Sequence, residues 1–115
     1  MGIRGSMVHD HGAYTARGIN LAYNSALIVT LPYDVPCYQI NVVLALTNKV
    51  PVTPVRGAGH PQGNFVMERL LDRAARELKT KPSEIRRRNL ISKDRMPFTK
   101  GLKTRGGAPV VLDSG

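Results

Sequence analysis

Apolar and polar residues alternate over 38–48: Tyr38, Ile40, Val42, Leu44 and Leu46 fall on one side, Gln39, Asn41, Val43 and Ala45 on the other. A period of two is that of a strand, and this pattern predicts a strand with one strongly buried face. Downstream the period becomes helical, with Val66, Met67, Leu70, Leu71, Ala74 and Leu78 recurring at helical spacing and Arg69, Asp72, Arg73, Arg76 and Glu77 mostly opposite. Residues 3–9 alternate imperfectly and stop at the turn-prone Asp10-His11-Gly12, which predicts an earlier strand. Between 13 and 33, Gly18 interrupts the pattern, and Leu21, Asn24, Ser25, Ile28 and Leu31 give no clean stripe, so only a short helix before Pro32 is predicted.

Pro82 opens a second short helix, with Ser83-Glu84 as an acidic first turn and Ile85 and Leu90 expected inward. Arg86, Arg87 and Arg88 spread around that helix, so at least one guanidinium should face protein, with a carboxylate or carbonyl as its partner. The carboxylates Glu68 and Asp72 are expected on an exposed helix face. Beyond Ser92 glycines, prolines and charges break any periodicity; 109–112 suits a short strand, and Asp113-Ser114-Gly115 reads as an extended connection cut from its continuation. The fold class is α+β, strands packed with an amphipathic helix.

Between the clear strand and the clear helix lies the loop 47–62. Pro51 and Pro54 stiffen it, and Gly57 and Gly59 flank Ala58 where backbone freedom or close approach is needed. Pro61 suits the first helical turn, so the free amides of the helix start should point back at Arg56-Gly57-Ala58-Gly59, where an anion would sit. The pattern is neither G-x-G-x-x-G nor a P-loop, and the residues alone also fit an ordinary strand-to-helix turn with a surface arginine.

The chain of 115 residues carries a net charge of +9, nearly all of the excess after residue 48, which raises the alternative of a small basic module binding an anionic partner such as nucleic acid. No aromatic interleaving or zinc-ligand spacing supports that partner. The lone Cys37, at the edge of an apolar run, is expected to be a buried, inert thiol. His9 and His11 share one strand face without a third ligand, so they read as polar strand-end residues and not as a metal site. No apolar run is long enough for a signal sequence or a membrane span, and the chain should be soluble. No catalytic Ser-His-Asp or Cys-His pairing is defined.

Arg56-Gly57-Ala58-Gly59 with Pro61-Gln62, followed by 67–72 and 84–91 and preceded by 9–14 and Thr47-Asn48, resembles the molybdopterin-binding large subunit of the xanthine dehydrogenase and aerobic carbon monoxide dehydrogenase family. The resemblance runs over essentially all of the chain. Because members are several times longer, it implies that 1–115 is a partial molybdopterin-binding domain, an internal fragment or truncated reading frame, inactive alone and exposing apolar surface that its neighbours should cover. It implies a cytoplasmic enzyme that hydroxylates a carbon centre with water-derived oxygen. The cofactor would be molybdenum-molybdopterin, with iron–sulfur clusters and FAD on partner subunits, the whole usually forming a homo-oligomer.

By the same resemblance Arg56, Gly57, Ala58 and Gly59 are cofactor-binding, the Arg56 backbone amide lies beside the metal, and Ala58 faces substrate. Gly57 stands where carbon monoxide dehydrogenases carry a cysteine, Ala58 where xanthine dehydrogenases carry a phenylalanine, and His60 where an arginine is frequent. An aldehyde or N-heterocycle is therefore the implied substrate. The family's catalytic glutamate has no counterpart in this chain.

Overall fold

The computed structural model describes residues 1–15 and 17–113; the expected extended connection at Ser114 and Gly115 lies outside the described residues. Strand β1 (Gly2–Gly12) pairs in parallel with β2 (Cys37–Leu46), and helix α1 (Ile19–Ile28) lies on the connection between them. Parallel neighbours cannot be joined by a tight turn, which is why the weakly patterned segment between them must form a crossover. Helix α2 (His60–Glu77) follows the loop, then α3 (Pro82–Asn89), a 3-10 turn at Lys93–Arg95 and an antiparallel hairpin of β3 (Phe98–Lys103) and β4 (Pro109–Leu112).

The ladder is regular from Gly2↔Cys37 to Asp10↔Ala45 and then jumps to Gly12↔Leu46, leaving His11 as the extra residue of a bulge. The core is one cluster of Val29, Tyr33, Val35, Met67, Leu71, Ala75 and Ile85, partly covered by Ile3, Tyr38 and Ala74. Burying these side chains, each worth roughly 1.5–3 kcal/mol for the larger ones, ties α2 to the segment after α1 and to α3.

The start of α2 packs on α1 through Gly59, the residue just before the helix, and Gly63 in its first turns. A β-carbon on Gly63 would lie 2.7 Å from the Ser25 carbonyl oxygen and 3.2 Å from Ile28, so only glycine permits this approach. The stripe facing the body is accordingly Gly63, Met67, Leu71 and Ala75. Val66, Leu70 and Leu78, expected on the buried face, are exposed, because the glycine contact rotates the helix so that a narrower edge meets α1. Leu90, expected inward, is also exposed, while Ile85 is buried as expected.

Strand β2 forms where the alternation placed it, but its strongly buried face is not observed. Tyr38 and Ile40 are half-buried; Val42, Leu44 and Leu46 on the same face are exposed, as is Val43 opposite. The sheet has two strands, and α1 reaches only its first half, where the Tyr38 hydroxyl donates to the Ala26 carbonyl. Cys37 is exposed and not buried, since it opens β2 at a free end of that sheet. The segment after Ser92 is more ordered than its sequence pattern suggests: Phe98, Lys100 and Leu102 alternate as half-buried positions of β3. Lys100 Nζ donates to the carbonyls of Thr30, at 2.6 Å, and Tyr33, and the Tyr23 hydroxyl donates to the Lys103 carbonyl at 2.6 Å, seating the hairpin on the C-terminal side of α1.

Candidate functional site

The loop after β2 is fastened before it turns. Asp10, at the end of β1, accepts from the Thr47 hydroxyl at 2.6 Å and the Gly12 N–H at 3.2 Å, and pairs with Lys49 Nζ at 2.7 Å. These donors, Lys49 first, hold its carboxyl down to about 2. Backbone bonds from Ala13 N to Lys49 O, Thr47 N to Gly12 O and Val52 N to His11 O continue the junction. Gly12 lies at φ +78, and a β-carbon there would stand 2.3 Å from the Val50 carbonyl oxygen, so the two segments touch backbone to backbone.

The bulged His11 is 1% exposed, and neither of its ring nitrogens finds a hydrogen-bond partner among the described residues; nor does Nε2 of His9. Their rings meet edge to face with centroids 5.7 Å apart. Among the described residues no group of three or more metal-ligating side chains gathers, here or elsewhere.

At its far end the loop turns through three successive positive φ angles: Gly57 at 89°, Ala58 at 24° and Gly59 at 97°. The turn is closed by its own backbone, with Ala58 N donating to Val55 O at 3.0 Å and His60 N to Gly57 O at 2.7 Å. The sequence predicts free amides at the start of α2, but not all are free: His60 is spent inside the turn and Pro61 has none. Among the described residues no acceptor takes the N–H groups of Arg56, Gly57 or Gly59. Arg56 and Gly57 are exposed, Ala58 is half-buried and Gly59 is buried.

The two glycines serve different ends. A β-carbon on Gly57 would meet only the Pro61 ring, at 3.4 Å. One on Gly59 would lie 2.3 Å from the Leu21 carbonyl oxygen and 2.8 Å from Ser25 Oγ. Gly59 is therefore small because α1 presses against it. From α1, Asn24 Nδ2 donates to Ala58 O at 3.0 Å, and Ser25 Oγ lies 2.7 Å from Leu21 O and 3.0 Å from Gly59 O. Asn24, Ser25 and Asp10 are the loop-supporting residues that motif reading missed. The signal was the failed apolar stripe in 13–33, where two polar positions faced another segment and not solvent.

A profile of the molybdopterin cofactor-binding domain matches residues 1–90. The chain belongs to that family. This family assignment is the one the loop and helix motifs implied. The chain is 37% identical over 103 residues to the 6-hydroxypseudooxynicotine dehydrogenase complex subunit gamma of Paenarthrobacter nicotinovorans, covering 89% of this chain and 13% of that protein. It is 30% identical over 103 residues to the carbon monoxide dehydrogenase large chain of Hydrogenophaga pseudoflava, covering 86% and 13%. Quinoline 2-oxidoreductase from Pseudomonas putida 86 superposes with a TM-score of 0.76 at 31% identity, over 91% of this chain and 13% of that one. The chain therefore spans about an eighth of the length of these relatives. The mixed architecture of three α-helices and two small sheets is that of molybdopterin-binding domains.

Several basic residues of α2 and α3 are paired with carboxylates of the same two helices. Arg86 donates to Glu68 at 2.6 Å and Asp72 at 2.8 Å, the carboxylate partners its position required, so Glu68 and Asp72 face α3 and not solvent alone. Tyr33 adds a bond to Glu68 at 2.7 Å, and burial together with that carboxylate pushes its phenol up to about 12. Arg69 pairs with Asp72, Arg73 with Glu77, and Arg88 with Glu84.

Proposed function

We propose that residues 1–115 are part of the molybdenum-bearing large subunit of a hydroxylase, with the Arg56–Gly59 loop at the metal end of a molybdopterin cofactor. The observation that carries this reading is the left-handed turn whose Arg56, Gly57 and Gly59 amides have no acceptors among the described residues, in a chain of this family. Fixed backbone donors suit an oxyanion-rich group, because they stabilise charge without having to reorganise. In this reading the backbone amide of Arg56 faces the metal's ligands and Ala58 lines the substrate side. The absence of a β-carbon on Gly57 leaves room beside it.

When bound, the cofactor supplies the redox chemistry that places water-derived oxygen on carbon. The chain's own residues bind and orient; none of them is a general base. Gly57 in place of a thiol argues against a copper–molybdenum centre. Ala58 in place of a ring suits an aldehyde or N-heterocycle better than a stacked purine. The remainder of the large subunit, an iron–sulfur subunit and an FAD subunit are the proposed partners, in a cytoplasmic complex that forms a homo-oligomer.

Purification of a longer polypeptide that contains residues 1–115, beside the 115-residue chain, tests this. Molybdenum and pterin in the longer form only is the expected result. Neither form carrying metal overturns it and leaves the basic-module reading to be tried by salt titration of nucleic-acid binding.

A further inference from the structure

Helix α1 carries two adjacent polar residues where its neighbours are Ala22 and Ala26, both buried. Asparagine is a poorer helix former than alanine, so Asn24 costs α1 stability unless its side chain contributes elsewhere. Among the described residues the one hydrogen bond of that side chain is to the Ala58 carbonyl, 34 residues away. Ser25 has a single hydroxyl proton and two carbonyls within reach, Leu21 O and Gly59 O, so its hold on the loop is the weaker of the two.

The peptide unit between Ala58 and Gly59 is trans and planar, with N–H and C=O on opposite sides. Fixing the Ala58 carbonyl toward Asn24 turns the Gly59 N–H away from α1. We infer that Asn24, seconded by Ser25, is a positioning residue that aims the Gly59 amide out of the loop, as a donor beside those of Arg56 and Gly57. Ala58 sits at φ 24, an unfavourable conformation for a residue with a β-carbon, and the bonds from α1 to its own carbonyl and to that of Gly59 hold the peptide units that follow it. This rests on the cofactor reading of the loop for its purpose, but not for its geometry.

One-bond N–H dipolar couplings of the weakly aligned, isotope-labelled chain measure that aim directly; the same labels placed segmentally serve in the longer polypeptide. Asn24→Asp keeps the shape and removes the donor, and Asn24→Ala removes both. In each the Gly59 coupling is expected to move well outside experimental scatter, while those of Met67, Leu71 and Ala75 stay. An unchanged Gly59 coupling in both variants overturns the inference. So does collapse of the Met67 and Leu71 signals in both, which would make Asn24 a residue of fold stability only.

In a molybdenum-containing longer polypeptide, Asn24→Asp should lower kcat about tenfold, with KM and metal content unchanged, as for a lost donor to developing charge. A shifted coupling with kcat intact overturns the cofactor-directed purpose. A polypeptide without molybdenum removes the cofactor reading, and the couplings still decide the positioning.

Discussion

Gly59 meets Leu21 so closely that a β-carbon on the glycine would stand 2.3 Å from the Leu21 carbonyl oxygen. Gly59→Ala adds that clash to a φ of +97 and should cost roughly 2–4 kcal/mol, by strain and by separation of α1 from α2. Denaturant unfolding measures it. Gly57→Ala meets only the Pro61 ring and should be limited to the cost of its positive φ, about 1–2 kcal/mol.

Asp10 makes the β1 end sensitive to acid. Its carboxyl lies at about 2 in the folded chain against an ordinary 3.8, so its contribution is complete above the ordinary value and is lost as pH falls toward the folded one. The Ala13 and Thr47 amides, which bond across this junction, should exchange faster as pH drops from about 4 to 2, after correction for intrinsic exchange. Asp10→Asn should show that faster exchange already at neutral pH and lose the acid dependence.

Arg86 joins α3 to α2 through two carboxylates, with its side chain 25% exposed. Arg86→Met should cost about 2 kcal/mol, less than a fully buried pair because water still reaches part of the guanidinium. A double-mutant cycle with Glu68→Gln should show a coupling of about 1–2 kcal/mol. Arg73→Met, at an exposed pair on the same helix, should leave stability unchanged within experimental scatter.

Val8 and Val43 are ladder partners, 71% and 53% exposed, and Leu46 at the strand's end is 62% exposed. An uncovered apolar sheet of this kind should bind a hydrophobic dye. Val43→Lys should reduce that binding while shifting stability by less than about 0.5 kcal/mol. Alkylation of Cys37 in the folded chain should proceed at nearly the rate of a small free thiol, since the residue is exposed.

The elements most legible in the sequence were those whose pattern is local. The alternation at Tyr38, Ile40, Val42, Leu44 and Leu46 located β2 within two residues, and the prolines at 61 and 82 marked the starts of α2 and α3. Periodicity names an apolar side but not its cover, so the exposure of Val42, Leu44 and Leu46 was not legible. On α2 the stripe was displaced by Gly59 and Gly63, whose contribution is the absence of a side chain. Strand β4 forms at 109–112 as expected, whereas its partner β3 escaped because Gly101 interrupts a strand whose middle is seated by Lys100 through carbonyls of another segment.

For the candidate site, the loop itself was plain from Arg56 to Gly59, and the need for a carboxylate opposite the α3 arginines was met by Glu68 and Asp72. What holds the loop was not plain. Asn24 and Asp10 act across 34 and 37 residues of chain respectively, on backbone carbonyls and a threonine hydroxyl that carry no pattern of their own.

The bulge at His11 sets how this segment tolerates changes in length. Deleting that one residue would let Gly12 follow Asp10 directly and keep its pairing with Leu46, so the bulge would vanish and with it the His11 carbonyl that holds the Val52 N–H. At the turn between β3 and β4, Gly106 and Gly107 are exposed, and a β-carbon on Gly107 would meet open space. Insertions can accumulate there without disturbing the loop, whereas the spacing between Asp10 and Gly12 is fixed by the junction it has to close.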